Sequence, residues 1–189
     1  MHASDVKAFF EAAATEWDTM RLTYYDESVT ETIADAIALD DTQTVLDVGT
    51  GTGFIAAGLA ARAHRVIAID NSPAMLAVAR DNLVRLGIDN VEIHEADLTH
   101  LPLDDDSVDA AVANMVLHHT KDPAAMLAEM TRVVRPGGWV AITDAIQHPY
   151  EWMRTEQADI WLGFTPEQVE GFFGSARLAR YGYATLGSQ

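Results

Sequence analysis

The middle of this 189-residue chain contains a turn whose residue types and spacing suit ligand binding. In the segment VLDVGTGTGF, the glycines Gly49, Gly51 and Gly53 follow an apolar run in alternate positions. Glycine lacks a Cβ, so such a turn can take positive φ angles and lie directly against a ligand. A helix that follows would present free N–H groups and its positive dipole end to the same place. This segment therefore predicts a site for a small polar ligand.

Three carboxylates accompany this turn. Asp70 ends RVIAID about twenty residues later, where a carboxylate can accept hydrogen bonds from both hydroxyls of a ribose. Asp97 ends VEIHEAD, where the amino group of an adenine could donate to it. Asp47 stands two residues before the first glycine, where a carboxylate disfavours a pyrophosphate and helps to hold a cationic amino group. Because D-x-G-x-G-x-G also differs from the G-x-G-x-x-G of dinucleotide folds, a nicotinamide oxidoreductase is disfavoured.

Strands and helices must alternate to position these residues. We expect strands at 44–48, 65–70, 91–97, 108–115 and 139–143, with a helix ending at Gly87 and another running from Asp122-Pro123 to the RPGG of 135–138. This order predicts an α/β fold with a doubly wound, mostly parallel sheet and helices on both faces. The carboxyl ends of parallel strands share one edge, so the glycine turn, Asp70 and Asp97 are expected to meet there.

The two ends of the chain are expected to add helices and a last strand. Residues 4–20 have apolar side chains at helical spacing, Thr165-Pro166 begins another helix, and RLARYGYATLG (177–187) has the composition of a strand. We therefore expect one domain over 1–189. It would comprise an N-terminal helical lid (1–40), a ligand-binding core (42–145) and a C-terminal part of helices and a final strand (146–189).

Four segments together resemble the motifs of class I S-adenosylmethionine-dependent methyltransferases of the small-molecule branch. They are VLDVGTGTGF, AIDNSPAML, EADLTHLPLDDDSVDAAVANMVLHHTKDP and RVVRPGGWVAITD, which span about residues 42–145 in the family's order. The resemblance implies a Rossmann-like methyltransferase fold, S-adenosylmethionine as cofactor and methyl transfer to a small-molecule acceptor. The cofactor-binding residues that it implies are Asp47, Gly49, Thr50, Gly51, Thr52, Gly53, Asp70, Asn71, Met75, Ala96, Asp97, Leu98, Asn114 and Met115.

A narrower resemblance involves the ends of the chain. FFEAAATEWDTMR and HPYEWMRTEQADIWLGFTPEQVEGFF are similar to methyltransferase domains attached to arsenic-type winged-helix repressors, and also to quinone and arsenite methyltransferases. The absence of cysteine argues against arsenite as acceptor, because those enzymes bind the metalloid through thiolates. The family's sheet ends in a hairpin of strands six and seven. Here the hairpin is expected to be truncated, and the exposed sheet edge could pair two copies into a homodimer.

The acceptor side of the site is less specified by sequence. Methyl transfer from a sulfonium is an in-line displacement that depends on orientation, and a general base is needed only if the acceptor must lose a proton. His119 and His148 are the candidate bases, and no metal is expected, because His118, His119, Asp144 and His148 lack fixed ligand spacing. The residues expected to cover the cofactor or face the acceptor are Phe10, Trp17, Arg21, Tyr24, Tyr25, His118, Asp144 and Trp152. The alternative function is a sensor that binds the cofactor without catalysis.

The composition of the chain argues against some classes of binding partner. The chain has a formal net charge of −17, with two lysines, Lys7 and Lys121. Such a surface repels nucleic acids and anionic membranes, and no apolar run approaches the ~20 residues that span a bilayer. With no cysteine for disulfides, we expect a soluble cytoplasmic protein without nucleic-acid or membrane partners. The acidic surface serves either solubility in general or a salty cytoplasm.

Overall fold

The sheet has five parallel strands in the order β3-β2-β1-β4-β5. A computed structural model of the chain describes residues 3–176, 178 and 180–185. The strands are β1 Thr44–Val48, β2 Arg65–Asp70, β3 Val91–Glu95, β4 Val108–Asn114 and β5 Val134–Thr143. Val45 of the central strand pairs with Val66 on one side and Ala110 on the other. The parallel sheet predicted from the sequence is confirmed.

Eight α-helices are found in the part of the chain that the structure describes. They are α1 Ala3–Ala13, α2 Trp17–Met20, α3 Ser28–Ala36, α4 Phe54–Ala60, α5 Pro73–Leu86, α6 Pro123–Val133, α7 Met153–Glu156 and α8 Pro166–Ser175. Short 3-10 turns follow α2 at Arg21–Thr23 and β4 at Leu117–His119. None of these helices combines the length and the apolar character needed to cross a bilayer.

Helix ends coincide with the signals in the sequence. The Ser72 hydroxyl accepts the N–H of Met75 at the start of α5, and Gly87 ends that helix with a φ of 68°. Asp122 caps α6 in the same way by accepting the N–H of Ala125. At α8, the side chains of Thr165 and Gln168 each accept the other's backbone N–H, which forms a capping box.

The two faces of the sheet carry separate apolar cores. Alternate strand residues such as Val45, Ala68 and Val112 pack with α3 and α4. Their neighbours, including Leu46 and Ile69, pack with α6 and α8 on the other face. Successive side chains of a strand point to opposite faces, so burial of both sets requires helices on both sides, as a doubly wound fold has.

Two predicted elements are wrong. The helix expected over residues 4–20 is interrupted by a turn at 14–16, which separates α1 from α2. This break lets the rings of Trp17 and Phe10 pack against each other, with their centroids 5.1 Å apart. No strand is found in the described part of 177–187, residues 178 and 180–185; the rest of that prediction lies outside the described residues. Tyr181 packs on Phe173 of α8 instead, and its hydroxyl contacts Glu170.

Strand bounds also differ from those expected. β5 begins at Val134, which pairs with Val108, rather than at 139, and a register shift between Val108 and Ala110 accommodates the extra residues. β3 ends at Glu95, so Ala96 and Asp97 lie in the loop beyond it. β3 and β5 are the edges of the sheet. Pairing of two copies through such an edge stays a prediction.

Candidate active site

A cleft of about 680 Å³ opens at the carboxyl ends of β1, β2, β3 and β4. Doubly wound sheets bind ligands at this edge, at the point where the strand order reverses, which here lies between β1 and β4. The cleft joins most of the residues predicted from sequence. Those that line it are Phe10, Trp17, Tyr25, Gly49, Thr50, Gly51, Thr52, Asp70, Asn71, Met75, Ala96, Asp97, Leu98, Asn114, Met115 and His119.

The glycine turn after β1 forms the floor of the cleft. Gly49, Gly51 and Gly53 all have positive φ, and the N–H groups of Gly49 and Thr50 donate to the Ile69 carbonyl of β2. A Cβ on Gly49 would lie 2.5 Å from Val116, so no larger residue fits there. A Cβ on Gly51 would meet its nearest described atom, Trp17 Nε1, only at 3.8 Å. Gly51 therefore leaves its backbone open to the cleft.

Asp47 lies beneath this turn and does not line the cleft. Its side chain is buried, and the Thr50 hydroxyl donates to Oδ2 over 2.7 Å. Burial raises the pKa of Asp47 to about 7, and the charge of Asp70 acts in the same direction. A cationic group bound nearby would stabilise the ionised form of Asp47 and lower its pKa.

Asp70 ends β2 and faces the cleft. Its Oδ2 accepts the Gly51 N–H and its Oδ1 accepts the Ser72 N–H, both over 2.9 Å. Burial raises the pKa of Asp70, opposed by these backbone hydrogen bonds. Each carboxylate oxygen has a second lone pair, so Asp70 fixes the turn and can still accept hydroxyl donors from a ligand.

Asp97 and Asn114 occupy two other parts of the lining. Asp97 is exposed at the mouth, where its Oδ1 accepts the backbone N–H and hydroxyl of Thr99, which lower its pKa. Asn114 ends β4 and is buried, with its Oδ1 accepting the Thr143 hydroxyl over 2.6 Å. The two residues thus present an anion at the rim and an amide deep in the cleft.

The N-terminal segment covers one wall of the cleft. Phe10 of α1 packs edge-on against both Trp17 and His119, with ring centroids 5.1 and 4.8 Å apart. The Asp18 carboxylate accepts from the Thr52 hydroxyl over 2.6 Å and from the Asn82 amide over 3.0 Å. These bonds join the segment to the glycine turn and to α5.

Arg21 is buried behind this wall. Its guanidinium carbon lies 3.5 Å from the centre of the Phe54 ring, and Nε lies 3.6 Å from Asp18. Nε and Nη1 have no hydrogen-bond partner among the described residues. Arg21 is not part of the cleft lining itself, although Phe54 and Tyr25, which its guanidinium faces, are.

Besides Arg21, five residues expected on the acceptor side lie outside the cleft lining: Tyr24, His118, Asp144, His148 and Trp152. His118 is buried and its Nδ1 lies 2.7 Å from Asp144 Oδ1. His148 stacks on Tyr150, and its Nδ1 accepts the Tyr150 N–H over 3.4 Å. Trp152 is 48% exposed. Of the two candidate bases, only His119 contacts the cleft; burial and His118 hold its pKa well below the ordinary value, so it is neutral at neutral pH.

Sequence reasoning missed several lining residues. Both lysines of the chain, Lys7 and Lys121, lie on the cleft, although nothing in their spacing indicated it. Most of the others adjoin predicted site residues, so widening each motif by one or two positions would have found them. The missed residues are Val6, Lys7, Phe54, Ile55, Glu95, Thr99, Val116, Thr120, Lys121 and Asp122.

Comparison with known proteins agrees with this geometry. Residues 46–142, just over half of the chain, match the family model described as a methyltransferase domain. The chain is 37% identical over 108 residues to an arsenite methyltransferase of Halobacterium salinarum, covering 56% of this chain and 28% of that one. It is 35% identical over 152 residues to a demethylmenaquinone methyltransferase of Clavibacter sepedonicus, covering 79% and 61%. The chain thus spans less than two thirds of the length of either relative.

Solved structures give the same result. A SAM-dependent methyltransferase from Aquifex aeolicus superposes with a TM-score of 0.66 at 25% identity, covering 94% of this chain and 88% of that one. The family match includes the glycine turn, Asp70, Asp97 and Asn114, which line one cleft. The chain therefore belongs to the class I S-adenosylmethionine-dependent methyltransferases.

Proposed function

We propose that this chain transfers a methyl group from S-adenosylmethionine to a small-molecule acceptor bound in the 680 Å³ cleft. The observation that carries the proposal is the meeting of Gly51, Asp70 and Asp97 in that one cleft. A bare backbone and two carboxylates at neighbouring strand ends suit an adenosyl group joined to an amino acid. When bound, the cofactor supplies the methyl group and its own leaving group, so the protein must mainly bind, orient and exclude water.

The nucleoside would lie between Asp70 and the loop after β3. Asp70 would accept the ribose hydroxyls with the lone pairs that Gly51 and Ser72 leave free. Asn71 and Met75 would flank the adenine on one side. Ala96, Asp97 and Leu98 would close over it, with Asp97 accepting from the amino group.

The amino-acid part of the cofactor would lie on the glycine turn. Asp47, Thr50 and Thr52 would favour its ammonium, while Asn114 and Met115 at the end of β4 would flank its chain. We assign the carboxylate to Arg21, whose buried Nε and Nη1 lack hydrogen-bond partners in the described residues. Asp18 lies 3.6 Å from Nε, beyond hydrogen-bond distance, so these N–H groups stay available to a second, closer anion. Arg21 is not in the cleft lining, whereas Phe54 and Tyr25, which its guanidinium faces, are, so these side chains would have to rearrange for the contact to form.

The acceptor would bind against the N-terminal wall. Phe10, Trp17 and Tyr25 give this wall an aromatic surface, which suits an acceptor with an apolar or ring-shaped body. The wall also limits the room available, which favours a small molecule over a polymer. Arsenite is disfavoured as the acceptor because the chain has no cysteine thiolate to bind it. Holding acceptor and methyl donor in line can supply roughly 7–11 kcal/mol of the barrier.

Catalysis would need little proton chemistry. Where the acceptor must lose a proton, His119 is the histidine in contact with the cleft, and its neutral ring can accept one. His148 and Trp152 lie elsewhere, so a direct role for them would require that their loop move. Orientation, rather than a dedicated base, is therefore the main source of catalysis in this proposal.

Titration calorimetry with S-adenosylmethionine, S-adenosylhomocysteine and NAD tests the cofactor. We expect binding of the first two and none of NAD; NAD binding alone would contradict the proposal. Turnover is then measured as S-adenosylhomocysteine release with a panel of reduced quinones, phenols and small amines. Cofactor binding with no release across a broad panel would favour the non-catalytic sensor instead.

A further inference from the structure

Two histidines and a carboxylate converge beneath the N-terminal wall, and one of the three, His119, also lines the cofactor cleft. His118 and His119 come from the 3-10 turn after β4, and Asp159 comes from the segment between α7 and α8. One ligand atom from each lies within 4.8 Å of the other two. His118 Nε2 is 3.7 Å from Asp159 Oδ1, and His119 Nδ1 is 3.9 Å from the same oxygen. His118 and Asp159 are 4% and 2% exposed, so the group is shielded from bulk water.

The hydrogen bonds of this cluster leave one side unsatisfied. A carboxylate only accepts, so the 2.7 Å contact from His118 Nδ1 to Asp144 places the ring proton on Nδ1. In the neutral ring the lone pair of Nε2 then faces Asp159 Oδ1. That oxygen has no hydrogen-bond partner among the described residues. With His118 neutral, the lone pairs of its Nε2 and of Asp159 Oδ1 face each other over 3.7 Å, and no described hydrogen-bond donor satisfies that oxygen.

We propose that His118, His119 and Asp159 form a binding site for one divalent transition metal ion, with Zn²⁺ as the best match to the donor set. Imidazole nitrogens and a carboxylate oxygen are ordinary zinc ligands. Asp144 would act as the outer partner that fixes the His118 tautomer and aims Nε2 at the metal, an arrangement common to metal-binding histidines. The site shares His119 with the cleft, but metal binding does not require the methyl transfer proposed above.

Two of the three ligand spacings in the cluster are close to what a metal requires, and the third, between His118 and His119, is within 4.8 Å. Bond lengths of 2.0–2.2 Å in a tetrahedron separate ligand atoms by about 3.3–3.6 Å. The observed 3.7 and 3.9 Å would contract by a few tenths of an ångström. His119 Nδ1 donates to the Ala158 carbonyl over 3.3 Å, so metal binding would require it to give up this hydrogen bond and carry its proton on Nε2 instead. A cavity of about 20 Å³ borders all three ligands, which is enough for one ion or water molecule.

Charge favours the same conclusion. Asp144 and Asp159 are both buried or nearly so, and the described cations near them are few: Arg154 donates to Glu151 and to the Ile160 carbonyl. A divalent ion with neutral histidines would balance two ionised carboxylates. The alternative is that His118 is an imidazolium between the two carboxylates, which leaves one negative charge uncompensated. Metal uptake separates these two states.

The test uses the full chain after dialysis against EDTA. Calorimetry with ZnCl₂ should show one equivalent bound, and CoCl₂ should give the visible absorption of a tetrahedral site. Asp144→Asn should weaken Zn²⁺ binding by roughly 10–100-fold, and Asp159→Asn should weaken it further because a ligand itself is lost. His94→Gln, which removes an exposed histidine paired with Glu92, is the matched control and should bind as wild type does.

The absence of stoichiometric uptake by the wild-type chain would overturn the proposal, as would equal affinity in wild type and Asp159→Asn. Far-UV circular dichroism checks that each variant is folded. If Asp159→Asn does not fold, His119→Gln replaces it, with the same expected loss of the zinc equivalent and of the cobalt absorption. Because the metal alone is the probe, failure here leaves the cofactor titrations unaffected.

Discussion

The carboxylate of Asp18 accepts a 2.6 Å hydrogen bond from the hydroxyl of Thr52, which ties the N-terminal segment to the glycine turn. Asp18→Ala removes this bond and the one from Asn82. We expect a loss of about 1.5–3 kcal/mol in the free energy of unfolding, as for hydrogen bonds to a charged group. Urea denaturation measures it. Asp35→Ala, whose pair with Arg62 is exposed, should lose about 0–1 kcal/mol, and an equal loss in both variants would contradict the link.

Asp70→Ala should weaken S-adenosylmethionine binding by roughly 1.5–3 kcal/mol, about 10- to 150-fold in Kd. The variant loses the acceptor for the ribose hydroxyls and the bond from the Gly51 N–H. Titration calorimetry gives the affinity, and circular dichroism shows whether the fold is kept. An affinity equal to wild type would mean that the ribose lies elsewhere.

Gly51→Ala and Gly87→Ala form a matched pair. Both glycines have positive φ, 55° and 68°, so alanine at either should cost about 1–2 kcal/mol of stability. A Cβ at Gly87 meets nothing described within 4 Å and lies at the end of α5, whereas one at Gly51 would enter the cleft. We expect only Gly51→Ala to lose cofactor affinity, which calorimetry at equal folded fractions would measure. Equal affinities would place the ligand away from the turn.

Asp47 predicts a specific dependence of stability on pH. Because burial raises its folded pKa from 3.8 to about 7, the folded state binds a proton more tightly than the unfolded state. Its contribution is therefore fully present below about pH 4 and is lost as pH rises toward 7, by at most about 1.4 kcal/mol per pH unit. The comparison of wild type with Asp47→Asn by urea denaturation isolates this effect. Parallel pH profiles would contradict the raised pKa.

The net charge of −17 predicts a response to salt. Self-repulsion among surface carboxylates opposes the folded state and is screened at high ionic strength. If the acidic surface reflects a salty cytoplasm, the Tm should rise strongly with KCl through the molar range. Differential scanning calorimetry at several KCl concentrations measures this. A flat response would leave general solubility as the explanation.

The sequence predicted the sheet and the meeting of Gly51, Asp70 and Asp97 at its edge, for a physical reason. Parallel strands must end at a common edge, so Gly51, Asp70 and Asp97 could be placed together from their positions after β1, β2 and β3. Local signals were equally reliable: the helix starts at Asp122 and Thr165 depend only on neighbouring residues.

Features that depend on tertiary contacts could not be predicted. The break between α1 and α2 has no proline or glycine to mark it, and it is explained by the packing of Phe10 on Trp17 and His119. Asp159 joins His118 only through the folding of a segment 41 residues later in the chain. The expected last strand had a suitable composition, but Tyr181 contacts α8 rather than the sheet.

The placement of both lysines, Lys7 and Lys121, on the cleft has a practical consequence. Among the side chains of this chain, an amine-acylating reagent can react only with these two lysines, both beside the cleft. Peptide mapping of the modified chain would therefore report how far a bound molecule protects Lys7 and Lys121 from acylation. Because the chain has two lysines and both line the cleft, a fluorophore attached to either of them would report ligand binding in the cleft without an engineered residue.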